Sequence, residues 1–384
     1  MFLSHDNCGM KRFKNLRFWR GTLFVVLAFG IYAMLIVPFV RGITTPDTII
    51  LTPSEYAARA DAAPETIIGN DTDTPKYITV KLLGLIPIKK VMVDILPFDT
   101  ILVGGMPIGI CGQIDGVLVT SDTADRVLQK GDVIKTINGA TVQSCDDFAR
   151  AVAQQGQITV TLIRNGTVLK RNVNSNNEFG LRDTTTGVGM LTFINPENHH
   201  FSALGHQMAD FETGTAVDLC GGEIRSVNTY GIVKTKGKQT GVLQSSVQPN
   251  APVQGSITQG TNFGVTGCLT ADSEILATTD TTMPVATRYY VHPGKATLRT
   301  SLDGKTIEEF DCEILKTRYQ KRRRNKSMVI RITDPRLLEA TGGIVHGMSG
   351  SPIIQDGHLV GVLTHALTHD PAKGYALYID FIAH

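Results

Sequence analysis

The stretch GTLFVVLAFGIYAMLIVPFV, Gly21 to Val40, carries no charged residue. A helix of that length matches the hydrocarbon core of a bilayer, which takes about 20 residues. Lys11, Arg12, Lys14, Arg17 and Arg20 precede it against one acid, Asp6; Arg41 and then Asp47 follow. The heavier positive flank stays in the cytoplasm, so the remainder of the chain is expected outside. A cleaved signal peptide is the alternative, but its apolar region usually runs to only about 7–15 residues. The reading is a basic cytoplasmic tail over 1–20, a single-pass membrane anchor over 21–40 and an extracytoplasmic C-terminal part.

With 384 residues the chain has room for two domains beyond that anchor. A net charge of +2 gives no sign of a nucleic-acid partner. The 38 glycines, among short β-branched runs, point to β structure with tight turns. Cys8, Cys111, Cys145, Cys220, Cys268 and Cys312 are scattered with no CxxC, so they read as isolated thiols, with a disulfide left open by the compartment. No HExxH occurs, and the pair His199–His200 has no third ligand at a useful spacing, so no metal or other cofactor is expected.

Residues 41–76 mix Pro, Thr, Ala and acids and read as a linker, with a short helix over Pro53 to Asp61. From Tyr77 short strands begin. Within 77–175 the order is a short helix over Thr123 to Gln129, a strand over Val133 to Ile137, a turn at Asn138–Gly139, a helix over Ser144 to Gln154 and a hairpin turned at Asn165–Gly166. This order, with GDVIKTING inside it, resembles a PDZ domain. In that family a glycine-containing loop presents N–H groups to a peptide carboxylate, and the peptide adds as a strand. The matching loop is Gly104, Gly105, Met106, Pro107, Ile108, Gly109 and Ile110. A module that only braces its neighbour is the alternative.

The segment 176–384 holds GMSGSP, Gly347 to Pro352. Glycines on both sides of Ser349 permit a tight turn, in which the N–H groups of Gly347 and Ser349 are placed to face an oxyanion. A serine needs a base to attack near neutral pH. His206, in FSALGHQMAD, follows a strand-like run at Met190 to Ile194 and the return through Phe201, Ala203 and Leu204. Ser351, next to Pro352, reads as a structural turn serine. His346, His365 and the basic run Arg318 to Lys326 read as structural or solvated, with substrate contact open for His365 and an acidic or lipid contact for the basic run.

G-x-S-G-[GS]-P is the nucleophile turn of chymotrypsin-like serine proteases. FSALGHQMAD, ITDPRLLEATGGIVHGMSGSPIIQDGHLVGVLTH and DPAKGYALYI resemble the stage IV sporulation protein B family, membrane-anchored serine peptidases with a PDZ domain, in the same order along nearly the whole chain. The resemblance implies Ser349 as nucleophile, His206 as general base and Asp334 as the required acid. Asp334 stands only 15 residues before Ser349, at the end of the strand Met328 to Ile332, where it can instead cap PRLLEAT. Asp210 is the reserve acid.

The expected architecture is mainly β: an N-terminal transmembrane helix, a PDZ-like domain and a chymotrypsin-like double β-barrel protease domain. The resemblance further implies a protein or peptide substrate, specifically a regulatory membrane protein whose cleavage triggers mother-cell gene expression. It also implies self-cleavage near the chain's own N-terminus and a place at the forespore membrane and intermembrane space. The contrasting possibility is a PDZ adaptor with an inactive protease fold, which intact Ser349 and His206 argue against.

Overall fold

The structure is a computed structural model. It describes residue 32 and residues 47–62, 67–68, 76–82, 85–153, 156–237, 239–248, 250–318, 320 and 323–383. The expected tail and anchor lie outside these residues, Tyr32 apart. Among the described residues no helix is long and apolar enough to cross a membrane. The chain divides into two units, Met1–Ile95 and Leu96–His384.

The first unit contains β1 (Thr48–Leu51), α1 (Pro53–Ala62), β2 (Ile67–Ile68), β3 (Lys76–Leu82) and β4 (Ile86–Ile95), in the sheet order β1-β4-β3-β2. Thr52 starts the helix: its hydroxyl accepts from the Glu55 N–H, and the Glu55 carboxylate accepts from the Thr52 N–H. The expected linker is therefore folded over much of its length. Its strand escapes a composition argument because the partner is distant: β1 lies parallel on β4, and Ile49 and Leu51 pack with Val91 and Val93.

The second unit opens with β5 (Thr100–Val103), β6 (Pro107–Val119), β7 (Val133–Ile137), β8 (Ala140–Thr141), α2 (Cys145–Val152), β9 (Gln157–Arg164), β10 (Thr167–Asn174) and β11 (Leu181–Ile194). Next come β12 (His200–Ala203), β13 (Met208–Ala209), β14 (Ala216–Val217), β15 (Leu219–Arg225), β16 (Val227–Val233), β17 (Val242–Val247), β18 (Val253–Thr261) and β19 (Gly264–Leu269). The chain ends through α3 (Glu274–Thr278), β20 (Thr282–Pro284), β21 (Gly294–Thr300), β22 (Glu308–Thr317), β23 (Met328–Ile332), α4 (Pro335–Thr341), β24 (Pro352–Gln355), β25 (His358–Leu367) and β26 (Asp370–Tyr378).

Two sets of strands close on themselves, so the protein is mainly β with barrel-like sheets. In the first, β6 pairs with β15, β15 with β18, β18 with β19, β19 with β12, β12 with β11, and β11 again with β6. Ile108, Ile110, Leu191, Phe201 and Leu219 fill it. The second is the closed barrel β21-β22-β23-β26-β25-β24, with Leu298, Phe310, Ile330 and Leu363 buried. Closure leaves no free sheet edge within each ring.

Beyond the first barrel, the C-terminal end of β6 pairs with β7, and Leu181 of β11 pairs with Val119. These ends join a small module of β7, β9, β10 and α2 around Val117, Leu128, Ile134, Phe148 and Val160. Ser144 caps α2 in a reciprocal box with Asp147. The expected helix over 123–129 is a run of turns. The Thr123 hydroxyl donates to Asp125 and accepts from the Leu128 N–H, and such side-chain bonds compete with a helix ladder. The first barrel takes its strands from both sides of the expected boundary at 175/176, since β6 from Pro107 to Ile114 pairs with β11 and β15.

Candidate active site

His206 and Ser349 reach the junction of the barrels from opposite sides. After β12 the chain reverses through Leu204 and Gly205, with φ of +73° and +69°. A side chain at the second position would meet Val362 at 3.1 Å and Thr364 at 3.3 Å, so the turn lies directly on β25. His206 follows it. Its ring packs against that of His365, with centroids 4.7 Å apart and planes inclined by 38°.

His206 Nδ1 lies 2.7 Å from the carbonyl of Gln207. A carbonyl only accepts, so Nδ1 carries the proton, and Nε2 of the neutral ring keeps its lone pair. Burial pushes the imidazole below its ordinary value against the pull of that carbonyl, and His346 adds to the depression. The ring is therefore neutral at pH 7 and able to take a proton.

Ser349 belongs to a turn docked onto β11. Its carbonyl accepts from the Met190 N–H at 2.7 Å, and Thr192 donates to the Gly350 carbonyl at 2.8 Å. The hydroxyl donates to the Thr364 carbonyl at 2.7 Å. To pass its proton to His206 it must turn from that carbonyl; catalytic hydrogen bonds often form only once substrate is bound. The N–H groups of Met348, Gly350 and Ser351 are spent on Val345, Leu363 and Met348 carbonyls. Those of Gly347 and Ser349 have no hydrogen bond among the described residues. Ser351 is fully buried, its hydroxyl donating to the Met348 carbonyl at 2.7 Å and lying 3.0 Å from Thr300.

The structure does not bring Asp334 to His206. Asp334 caps α4: its carboxylate accepts from the Arg336 N–H at 2.9 Å, from the Arg336 guanidinium at 2.8 Å and from the Asp311 N–H at 3.2 Å. Pro335 in the first turn and Gly342 in a left-handed C-cap complete a well-signalled helix. Bonds from the Arg336 side chain, then N–H groups, hold the Asp334 carboxyl down to about 2. Asp210 is equally committed, to Arg182 at 2.9 Å and to the N–H and hydroxyl of Thr213. Neither acid hydrogen-bonds His206; a main-chain carbonyl holds that place. Residue types carry no trace of such a role, so the parts played by the Gln207 and Thr364 carbonyls lay beyond sequence reasoning.

A prediction follows for the acid. Asp334→Asn is expected to stay within about ten-fold of wild-type turnover per folded molecule, against the roughly 10⁴-fold loss when a triad acid is so changed. It should melt slightly earlier: asparagine still caps α4, but the charged pair with the Arg336 guanidinium is lost. Because the folded pKa is depressed, the carboxylate's stabilisation is complete above about 4 and vanishes as pH falls to about 2. Rates beside thermal melts across that range check both points.

The loop Gly104–Ile110 is tied to β11 along its length. Gly104 and Gly105 donate to the Thr192 and Leu191 carbonyls, and Met106 accepts from the Leu191 N–H. Gly109 and Ile110 are paired with β11 on one side and β15 on the other. The expected strand addition is thus corrected at Gly109 and Ile110, where the chain's own strands occupy both edges. A different opening adjoins the serine turn. A cleft of about 870 Å³ begins at His346 and Gly347 and runs between Thr184–Val188 and Val242–Val247, with Phe211 exposed at its rim.

The barrel pair brings the serine turn and a neutral histidine to the same strand, β25, through Thr364 and His365, an arrangement that fits a serine peptidase. The match of the chain to known families agrees in kind. The model of the family described as SpoIVB peptidase S55 covers residues 176–382, more than half of the chain, and the chain belongs to that family. Comparison with curated proteins gives no match.

Proposed function

We propose that the protein is an endopeptidase working through a Ser349–His206 dyad in a chymotrypsin-like arrangement of two barrels. The observation that carries this is the pair of unspent N–H groups, Gly347 and Ser349, beside a hydroxyl at the same junction as a histidine with a free Nε2. His206 takes the Ser349 proton as the hydroxyl attacks the peptide carbonyl. The two N–H groups stabilise the oxyanion, and His206 returns the proton to the leaving amine. Water then attacks the acyl-enzyme by the same route. The Gln207 carbonyl fixes the tautomer, and the cleft beginning at Gly347 receives substrate chain.

The family relation supports a role in sporulation signalling, with a membrane-bound regulatory protein as substrate and the forespore intermembrane space as site of action. Gly21–Val40 anchors the chain there. The order of elements around α2 supports a PDZ-like module, which braces the first barrel through β6 and β11 rather than taking a peptide at Gly104–Ile110.

Self-cleavage of the N-terminal segment is part of this reading. A strand in a sheet cannot enter a cleft without leaving the sheet, so β1, α1 and β2 move the expected cut to residues 41–46, 63–66 or 69–75, which lie outside the described residues. Wild-type protein made in a membrane should yield a shortened soluble form, while Ser349→Ala stays full length. Mass spectrometry of the new N-terminus locates the cut. Identical trimming of the Ser349→Ala protein would assign it to another protease, and an end beyond about residue 95, at the close of β4, would refute the segment.

A further inference from the structure

Among the described residues the His206 ring has one hydrogen bond, to a carbonyl, and none to a carboxylate. A single bond to a carbonyl fixes the tautomer but leaves the ring free to pivot about that bond. Something else must set its plane if the dyad is to be preorganised, and catalysis is sensitive to placement at this level. Among the described residues the His365 ring packs against that of His206.

His365 lies on β25, one residue after Thr364, whose carbonyl accepts from Ser349. Thr364 is buried and donates from its own hydroxyl to the Tyr375 carbonyl at 3.0 Å, pinning β25 to β26 at this point. The register shifts between Leu363 and His365, which stands opposite Tyr375, and His365 is exposed where Thr364 is buried. Its ring stands with one face toward His206 and is exposed to solvent elsewhere. One strand thus supplies both the carbonyl that holds the serine hydroxyl and the ring that meets the histidine.

We propose that His365 is a positioning residue of this site: its ring, packed on that of His206, sets the plane of the base and keeps water from it, doing by contact what a triad does with a carboxylate. This rests on the dyad reading above. His346, from the serine turn, acts on both rings, and Lys326, whose ammonium lies 4.7 Å from the Tyr375 ring centroid, acts on His365. Desolvation of its inner face, then the charges of His206, Lys326 and His346, push His365 well below its ordinary value. It is therefore uncharged where the enzyme works and adds no fixed repulsion when His206 becomes an imidazolium.

The test needs no natural substrate. The rate at which a fluorophosphonate labels Ser349 in the full-length protein is measured from pH 5 to 9, values chosen to span the ordinary histidine range of about 6.5. His365→Ala should slow labelling at the plateau by about 10- to 100-fold, the scale of a small misplacement. It should also move the acid limb upward, because water reaching His206 relieves the burial that depresses it. His365→Phe restores a flat ring and should return both rate and limb to within about three-fold and a few tenths of a pH unit of wild type. If His365→Ala does not fold, His365→Asn carries the same expectations. An alanine or asparagine variant with the wild-type rate and limb overturns the proposal, as does a phenylalanine variant no better than alanine. Failure of the dyad itself looks different: wild-type Ser349 would not label, or would label equally in His206→Ala.

Discussion

Ser349→Ala is expected to reduce peptide hydrolysis by about 10⁴-fold or more, to the residue left by binding and oxyanion contacts alone. Nothing in its packing predicts a comparable loss of stability. The hydroxyl is half-buried, and its one bond is to the Thr364 carbonyl. Ser351→Ala should do the reverse. Its hydroxyl is enclosed and joined to Met348 and Thr300, so removing it costs about 1–3 kcal/mol of stability, while the folded fraction keeps its activity. Peptidase rates normalised to folded protein, beside denaturant titrations of both variants, separate the two serines. Full activity in Ser349→Ala would end the assignment.

The second large effect is expected at Gly350. It has φ of +98°, and a Cβ there would stand 2.1 Å from the Met190 carbonyl oxygen and 2.6 Å from the Leu204 nitrogen. Both are backbone atoms of the first barrel and neither can step aside. Gly350→Ala must therefore lift the serine turn off β11, breaking the Met190–Ser349 and Thr192–Gly350 bonds together. Loss of at least about 100-fold in activity is expected from that displacement. Gly357→Ala is the control. It also has positive φ, +74°, but nothing lies within 4 Å of the added carbon. Strain alone, about 1–2 kcal/mol, should follow there, with turnover unchanged. Equal behaviour of the two variants would contradict the docked turn.

The candidate serine turn and histidine stand out in the sequence because their residue types suggest the chemistry: a hydroxyl between glycines, and an imidazole after a strand return. Local turns were legible for a similar reason. Asn138–Gly139 and Asn165–Gly166 both adopt positive φ between paired strands, as expected of those dipeptides. Asp334 shows where residue type misleads. An aspartate before Pro-Arg-Leu-Leu carries the signature of a helix cap, and the cap is what forms; order along the chain suggested a triad but carries no distance. The long strands were illegible for another reason. β6 leaves one barrel and continues into the small module, so its sequence reads as part of the module while its first half lies in the barrel. Pairing partners many residues away, such as β1 with β4, are invisible to a pattern read one segment at a time.

Covalent labelling with a fluorophosphonate tests the Ser349–His206 dyad most directly. The full-length protein, its His206→Gln variant and its Asp334→Asn variant are treated alike, and the adduct is located by peptide mass mapping. One adduct, on Ser349, is expected in the wild type, lost in His206→Gln and kept in Asp334→Asn. An adduct on Ser351, labelling indifferent to His206, or loss of labelling in a folded Asp334→Asn protein would contradict the dyad.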